Sequence, residues 1–473
     1  MKLSRLVCIL GFCFWSNALT LKYYFFGFYD WDFALYSQAM WGLCHGTSNV
    51  SLFGTSFLAD HAHFIAFLIT PVYFVFRHPL TLIYLEVFSF FAGAYILFLL
   101  AKKLTSENIA FGLMVIYILH PANIFMLMYE FHFESLAIGL IFLLFYFHYL
   151  KNYKAFMITA LILMLIKENM PVIVFMLGVH GLLLRPGERI KWGLVPLVLG
   201  LGMFILTMFI IMPMVRHSFS SHQNIYWGLY HSFGDTPSDI LKTLIFNPKL
   251  LIKVLATWQN LYFMRDVLGG FSFGAFFSPS ILFVGAPLFL QNLLSNAAGQ
   301  HKIYFHYAAT LIPFAAISAA YGFAFLKKRY QPWLCTLLLL TCLFAAGDSF
   351  INNLPIMRIK ANLCIDHNAY IRQALIDKIP PDAGVVASFR FLSHLTRHHD
   401  LYALYNVWRD INYFTGQVPR IPSEVHYALV DFYDPWLRTD TKDHLVVVQI
   451  KDFLASGGWK AKYTGSGITL FER

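Results

Sequence analysis

The chain has 473 residues, of which 58% are hydrophobic and only 13% are charged. Soluble domains carry roughly 25% charged residues, so this composition excludes a soluble enzyme and predicts an integral membrane protein. The net charge of +10 does not indicate nucleic-acid binding. The basic residues lie in short segments between apolar runs, where they orient a membrane protein and meet anionic lipid head groups.

Apolar runs long enough for membrane-spanning helices recur along the chain. A span needs ~20 mostly apolar residues. Eight runs near that length and three shorter ones predict eleven spans, at 5–22, 80–101, 109–128, 133–150, 192–214, 272–294, 306–326, 331–350, 155–167, 169–184 and 252–269. A cleaved signal peptide competes with the first span, which is kept because its apolar run is longer than a signal core. The run at 64–77 is shorter and predicts a helix lying in the membrane interface.

Basic residues fall at every second loop of this arrangement. The clusters are Lys2/Arg5, Lys102/Lys103, Lys151/Lys154, Arg185/Arg189/Lys191 and Lys327/Lys328/Arg329. Since positively charged loops stay in the cytoplasm, the N-terminus is predicted to be cytoplasmic and the C-terminus, after an odd number of spans, external. The protein is therefore expected in the cell inner (cytoplasmic) membrane, with external loops at 23–79, 129–132, 213–251 and 298–305.

The composition changes after about residue 355. An amphipathic helix is predicted at 366–379, followed by short β-like runs at 385–389, 401–405, 428–432 and 444–450. This pattern divides the chain into a transmembrane domain at 1–354 and a small external α/β domain at 355–473. No glycine-rich nucleotide-binding motif is present, so a nucleotide site has no support.

Six cysteines are scattered along the chain without a CxxC pair. Four of them lie in apolar runs, where cysteine serves as a packing residue. Cys44 and Cys364 fall in the predicted external parts. A disulfide between them stays open, because spacing alone cannot support one.

Ionisable residues gather in the predicted external loops. Taken singly, each is as well explained as a solvated loop residue or a helix cap, but together they indicate a functional site near the outer face. The residues are Asp30, Asp32, Asp60, His61, His132, Glu134, Lys167, Glu168, His306 and Tyr307.

The chemistry of this set fits transfer from a phosphate-linked donor. A carboxylate can act as general base on an acceptor hydroxyl. Lysine, histidine or a metal ion can neutralise a leaving phosphate. No cofactor is otherwise predicted, and a divalent cation has Asp32, Asp60 and His61 as candidate ligands.

Six sequence blocks resemble those of a bacterial and archaeal family of predicted multi-spanning membrane proteins of unknown function, grouped with the GT-C glycosyltransferases. In order they are WDFALYSQAMWGLCHG, LADHAHFIAFLITPVY, FHFESLAIGL, IKENMPV, LFLQNLLS and HYAATLIPF. Residues matching the family pattern are Asp32, Gln38, Trp41, His45, Asp60, His61, His132, Glu134, Lys167 and Glu168. Ala34, Ser37 and Phe133 depart from it, and the departure at Ser37 puts a role for that position in doubt.

The resemblance implies a mainly α, GT-C-like transmembrane bundle acting on a polyprenyl-phosphate-linked sugar. Asp32 matches the catalytic acidic position of the first external loop, with Asp30 as a neighbouring candidate. The implied reaction is a single displacement with inversion, in which the acceptor is a hydroxyl of a glycan, lipid or protein. The leaving lipid phosphate would be stabilised by Lys167, His61, His306 or a cation.

Two other classes of function stay open from the sequence. A transporter or flippase would place its ionisable groups near the membrane midplane, whereas here they are predicted at one face. A non-catalytic membrane protein, or an enzyme of another lipid-phosphate class, would be equally apolar. A closed outer cavity would favour the non-catalytic protein. Donor hydrolysis without an acceptor would favour the other class of enzyme.

Overall fold

The computed structural model describes residues 2–216, 225–329, 332–353, 366–411, 421–438 and 443–473. The part before residue 354 is almost wholly helical. Its helices are α1 Lys2–Tyr24, α2 Asp32–Cys44, α3 Ile65–Val75, α4 Leu80–Leu104, α5 Glu107–Leu119, α6 Pro121–Met128, α7 Glu134–Tyr149, α8 Tyr153–Met164, α9 Met170–Leu184, α10 Val195–Ile205, α11 Met212–Arg216, α12 Pro237–Phe246, α13 Pro248–Leu255, α14 Trp258–Leu268, α15 Pro279–Leu293, α16 Ile312–Arg329 and α17 Pro332–Asn353. A two-stranded ribbon, β1 Asn49–Val50 with antiparallel β2 Thr55–Ser56, follows α2.

Four helical segments of the described chain are long and apolar enough to cross a membrane. They are Lys2–Tyr24, Leu80–Leu104, Pro186–Arg216 and His306–Arg329. Helices α5 and α6 make a fifth if they are counted as one span bent by 45°. Pro121 causes this break, because it lacks a backbone N–H and clashes with the preceding turn. Other apolar helices have only 10–17 residues, so the predicted number of eleven spans stays a prediction.

The predicted span at 252–269 is wrong as a continuous helix. The chain forms α13 and α14 there, separated at Ala256. The side chain of Thr257 accepts a hydrogen bond from the amide of Asn260 and so starts a new helix. Lys253 and Arg265 also interrupt the apolar pattern, which makes these helices amphipathic rather than apolar on all sides.

A five-stranded sheet forms most of the described C-terminal part. Its strands are β3 Gly384–Ala387, β4 Leu401–Ala403, β5 Val425–Asp431, β6 Lys460–Gly465 and β7 Ile468–Glu472. The spatial order is β4-β3-β5-β7-β6, with β3 parallel to β4 and β5, and β7 antiparallel to β5 and β6. The accompanying helices are α18 Ala369–Ile376, α19 Phe389–Leu392, α20 Leu404–Trp408, α21 Pro435–Arg438 and α22 Asp443–Ser456.

The run at 444–450 is helical, so its prediction as a strand is wrong. Val446, Ile450 and Leu454 recur every four residues in α22 and pack on one face of the sheet. That period is the helical one, and it outweighs the β-branched composition of the run. The last two strands, which the sequence prediction missed, pair with each other around a turn at Gly467, where φ is +74°.

The two faces of the sheet join different cores. Alternate residues of β3 point to opposite sides, so Val386 packs with α22 while Val385 joins the core of the helical bundle. Bundle and sheet therefore share apolar packing. The predicted domain boundary at 354/355 and Cys364 lie outside the described residues, so neither is assigned a structure here.

Polar contacts tie the sheet region to the first loop of the bundle. Gln38 of α2 donates to the carbonyl of His398 over 3.0 Å, and the hydroxyl of Ser51 donates to the carbonyl of Leu401 over 2.9 Å. The ring of His394 stacks on Tyr23, with centroids 4.1 Å apart. These contacts close one end of the helical bundle with the C-terminal part of the chain.

Candidate active site

A cavity of about 390 Å³ lies between the helical bundle and the sheet region. The bundle supplies its polar walls, and four residues of the sheet region complete its lining: Phe389, Tyr405, Asn406 and Trp436. Ten of the thirteen predicted site residues line it: Asp30, Asp32, Asp60, His61, His132, Glu134, Lys167, Glu168, His306 and Tyr307. Loops distant in sequence therefore converge on one chamber.

Asp32 opens α2 and pairs with His132. As the first residue of the helix, its carboxylate is favoured by the positive end of the helix dipole. Its Oδ2 lies 3.1 Å from Nε2 of His132, in the loop between α6 and α7. The side chain of Asp32 is 31% exposed while that of His132 is only 5% exposed. The Asp32 carboxylate is therefore accessible from the cavity, while its partner His132 is buried.

His132 is held as an imidazolium by two acceptors. Its Nδ1 donates to the carbonyl of Glu130 over 3.0 Å, because a carbonyl can only accept. Its Nε2 then needs its own proton to bond the Asp32 carboxylate. Burial alone would lower the pKa of His132, but the charge and hydrogen bond of Asp32 raise it to about 9. The ring of His306 stacks on this imidazolium, with centroids 3.5 Å apart.

Replacing His132 with Asn should change the pH dependence of stability. Since folding raises the pKa of His132 from 6.5 to about 9, the folded state binds this proton more tightly than the unfolded state. The resulting stabilisation is complete below pH 6.5 and is lost as the pH rises through about 9. We expect the difference in Tm between wild type and His132→Asn, measured by thermal unfolding in detergent, to shrink across that window. A constant difference would contradict the assignment.

Both carboxylate oxygens of Asp30 accept hydrogen bonds, whereas Asp32 has one such partner among the described residues, His132. The Oδ1 of Asp30 accepts the amide of Trp31 over 2.8 Å and its Oδ2 accepts the hydroxyl of Tyr129 over 2.8 Å. Burial, followed by the nearby charge of Asp32, raises the pKa of Asp30 to about 6. With both oxygens engaged, Asp30 is suited to shaping the loop, and Asp32 is better placed to accept a proton from a substrate.

A second group of charges lies on the same cavity, around the turn between α8 and α9. Lys167 donates to Glu134, the first residue of α7, and both side chains are buried. Glu168 accepts from Nδ1 of His61 over 2.7 Å. Burial opposes the charges on His61 and Glu168, yet the charges of Asp60 and Glu168 raise the pKa of His61, and His61 lowers the pKa of Glu168. Each cation of this group therefore faces a carboxylate.

Asp60 is fixed by residues that the sequence analysis did not single out. Its carboxylate accepts the hydroxyl of Tyr226, whose ring stacks on His61 with centroids 4.6 Å apart. Arg216, at the end of α11, donates to the carbonyls of Ala59 and Asp60 over 2.6 and 2.8 Å. Because the segment around Tyr226 lies far along the chain, only the folded structure reveals this contact.

Three predicted site residues lie outside the cavity lining. Gln38 is buried and bonds Ser51, the carbonyl of His398 and the amide of Leu52. Trp41 and His45 stack on each other, with centroids 4.0 Å apart, and Nδ1 of His45 bonds the carbonyl of Trp41 over 2.8 Å. Gln38 therefore ties α2 to the following loop and to the sheet region, whereas the Trp41–His45 contact is local to the end of α2.

In the described structure, each of the three candidate cation ligands is paired with another side chain. Asp32 is paired with His132, His61 with Glu168, and Asp60 with Tyr226. Among residues with a described position, no group of three or more His, Cys, Asp or Glu side chains is arranged to hold a metal ion. A divalent cation at these residues would have to replace those pairs, and it stays a prediction.

Glu130 is a buried acid of the site that the sequence analysis left out. Its Oε1 accepts the amide of Asp30 over 3.2 Å, and its carbonyl bonds His132. Burial, followed by the charge of Asp30, raises the pKa of Glu130 to about 8. Its position two residues before His132 in an otherwise apolar run is a signal that would have identified it.

Known proteins similar to the chain are membrane proteins. A family model described as "Predicted membrane protein (DUF2079)" matches residues 22–470. No curated protein sequence matches. Crystal structures of ArnT from Cupriavidus metallidurans, bound to undecaprenyl phosphate and in the apo state, superpose with TM-scores of 0.52 at 11% and 10% identity. The alignments cover 98% of this chain and 97% and 98% of those chains, and at this identity they show the fold alone.

A third solved structure is more distant. The oligosaccharyltransferase of Archaeoglobus fulgidus, in complex with Zn and sulfate, has a TM-score of 0.40 and 12% identity. The alignment covers 94% of this chain and 69% of that chain. A likeness at this level carries no argument about the present chain.

Proposed function

We propose that this chain, which belongs to the DUF2079 family of predicted membrane proteins, is a GT-C-type membrane glycosyltransferase. It would move a sugar from a polyprenyl-phosphate donor to an acceptor hydroxyl on the external face. The observation that carries this proposal is the Asp32–His132 pair facing a cavity closed by the sheet region. The fold of ArnT, crystallised with undecaprenyl phosphate, supports a lipid-linked donor.

The proposed chemical step is a single displacement with inversion at the anomeric carbon. Asp32 takes the proton of the acceptor hydroxyl as the oxygen attacks, and the bond from the anomeric carbon to the donor phosphate breaks. His132 keeps Asp32 oriented and compensates its charge before the proton arrives. The lipid phosphate leaves with the electron pair of the broken bond.

The second group of charges is the proposed place for the leaving phosphate. Lys167 and His61 line the cavity, and His306 lies against His132. Lys167 and His61 are already balanced by Glu134 and Glu168. A phosphate would therefore bind by sharing their hydrogen-bond donors, and this fits a group that must be released after transfer.

The sheet region is proposed to position the acceptor. Phe389, Tyr405 and Trp436 form a cluster of rings with centroids 5.5–6.0 Å apart, and all three face the cavity. Rings present flat apolar surface beside polar edges, which suits the mixed surface of a sugar or glycan.

The orientation of the protein in the membrane is part of the proposal. Helix α16 begins near the cavity and, at 1.5 Å per residue, ends about 27 Å away at Lys327, Lys328 and Arg329. Helix α4 likewise ends at Lys102 and Lys103. Positive charge at the end away from the cavity supports a cytoplasmic position for that end and an external cavity, in the inner membrane.

The test is transfer by purified protein in proteoliposomes supplied with labelled polyprenyl-phosphate sugars and candidate glycan, lipid or protein acceptors. We expect time-dependent labelling of an acceptor and release of polyprenyl phosphate. Movement of the labelled donor between leaflets without acceptor labelling would instead identify a flippase. Donor hydrolysis without transfer would identify a different lipid-phosphate enzyme.

A further inference from the structure

A second cavity, of about 550 Å³, lies where the end of α1, the end of α3 and the start of α4 meet. It shares no lining residue with the candidate active site among the residues that the structure describes. Most of its lining is apolar or aromatic: Tyr24, Val72, Phe76, Leu80, Tyr84 and Leu85. We call it the α1–α3–α4 groove.

The position of this groove favours a hydrocarbon chain over a soluble ligand. Two of the helices that form it, α1 and α4, are among the candidate membrane spans. Tyr24 and Phe76 leave 54% and 65% of their surface exposed at its mouth. An apolar groove that opens on membrane-crossing helices faces the lipid tails, so an acyl chain can fill it without exposing apolar surface to water.

Two arginines lie next to His78, a lining residue of the groove, although neither of them lines it. Arg77 directly precedes His78, which lines the groove, and Arg397 of the sheet region donates to the carbonyl of Arg77 over 2.8 Å. Within the described part of the chain, neither arginine forms an ion pair with a carboxylate. Two uncompensated guanidinium groups beside an apolar groove are complementary to a phosphate carried on a lipid.

A purely structural role explains only part of this arrangement. The Nε of Arg77 donates to the carbonyl of Phe74 over 3.1 Å at the end of α3, which satisfies a free helix carbonyl. That contact and the Arg397 bond use one donor of each guanidinium group. The guanidinium of Arg77 also lies over the ring of Phe74, 4.1 Å from its centroid, in a cation–π contact. The donors that these contacts leave over on the two guanidinium groups are the ones that a ligand would bind.

We propose that the α1–α3–α4 groove binds one anionic phospholipid of the bilayer. Its acyl chain would fill the apolar groove, and its phosphate would be held by Arg77 and Arg397. Because Arg77 follows α3 and Arg397 belongs to the sheet region, the bound lipid would fasten that region to the bundle. The proposal does not depend on the proposed transferase activity, since it concerns a different cavity.

The experiment titrates phosphatidylglycerol or phosphatidylcholine into delipidated protein and counts bound lipid by native mass spectrometry. We expect one phosphatidylglycerol to be retained in preference to phosphatidylcholine. With roughly a fivefold loss for each arginine near a lipid phosphate, the double variant R77Q/R397Q should bind phosphatidylglycerol about 30-fold more weakly. Arg265→Gln, which alters an exposed arginine paired with Asp266, should change nothing.

A second pair of variants tests the apolar part without touching charge. Val72 lines the groove on α3, whereas Val75 lies on the same helix, is 70% exposed and does not line it. Val72→Trp should displace the lipid, and Val75→Trp should leave binding unchanged. Equal retention of the two phospholipids, or equal effects of the two tryptophans, would overturn the proposal. Gel filtration and thermal unfolding in phosphatidylcholine establish that each variant is folded.

Discussion

Replacement of Asp32 with Asn should slow sugar transfer about 10²–10⁴-fold without unfolding the protein. The amide has nearly the same size as the carboxylate but cannot accept a proton from the acceptor hydroxyl. Since Asp32 is partly exposed at the start of α2, the fold does not depend on its burial. Initial rates in proteoliposomes at saturating donor should show the loss in kcat, with a smaller change in KM.

Matched substitutions separate a catalytic role of Asp32 from a general effect of charge. Asp382→Asn removes an exposed carboxylate outside the cavity and should leave the rate unchanged. Asp30→Asn disturbs a carboxylate whose two oxygens are already bonded, so its effect should be smaller than that of Asp32→Asn. Transfer at the normal rate by the Asp32 variant would sink the assignment of this residue as the base.

Replacement of Lys167 with Met should destabilise the protein by about 3–5 kcal/mol. The ion pair of Lys167 with Glu134 is buried, with side chains only 11% and 8% exposed, so removal of the cation leaves a carboxylate in a poorly solvated place. Equilibrium unfolding in mixed micelles measures the loss.

The double variant identifies the cause of that loss. With Glu134→Gln added to Lys167→Met, the site contains no unpaired charge, and much of the stability should return. Lys103→Met, at an exposed lysine near the end of α4, is the control for removal of a positive charge and should have little effect. If the double variant were less stable than the single one, the buried pair would not be the source of the effect.

The composition of the chain predicts a membrane protein, and its polar residues predict much of the chamber. Residues such as Asp32 and His132 stand out because a charge in an apolar context is costly unless it has a partner or a use. Their pairing could not be predicted, since 100 residues separate them and no local pattern encodes a contact at that distance. The family resemblance supplied the expected role of Asp32 and the GT-C type of fold.

Other features depend on tertiary structure alone. Gln38, Trp41 and His45 match the family pattern, yet none of them lines the cavity: Gln38 bonds the sheet region, and Trp41 and His45 contact each other. Conversely, Tyr226 and Trp436 line the cavity but look like ordinary aromatic residues in a chain with 18% aromatic content. An apolar run also has the same appearance whether it crosses a bilayer or forms a shorter buried helix, so hydrophobicity alone does not fix the number of spans.

The contacts between the first loop and the sheet region have a consequence for biogenesis. The hydroxyl of Tyr23 bonds the carbonyl of Ser393, 370 residues away, and Gln38 bonds His398 across 360 residues. At about 5–20 residues per second, the ribosome needs roughly 20–75 s to make the chain between such partners. The chamber is therefore completed last, when the final quarter of the polypeptide emerges. In a nascent chain stalled before that point, Asp30 and Asp32 are not yet enclosed by the sheet region.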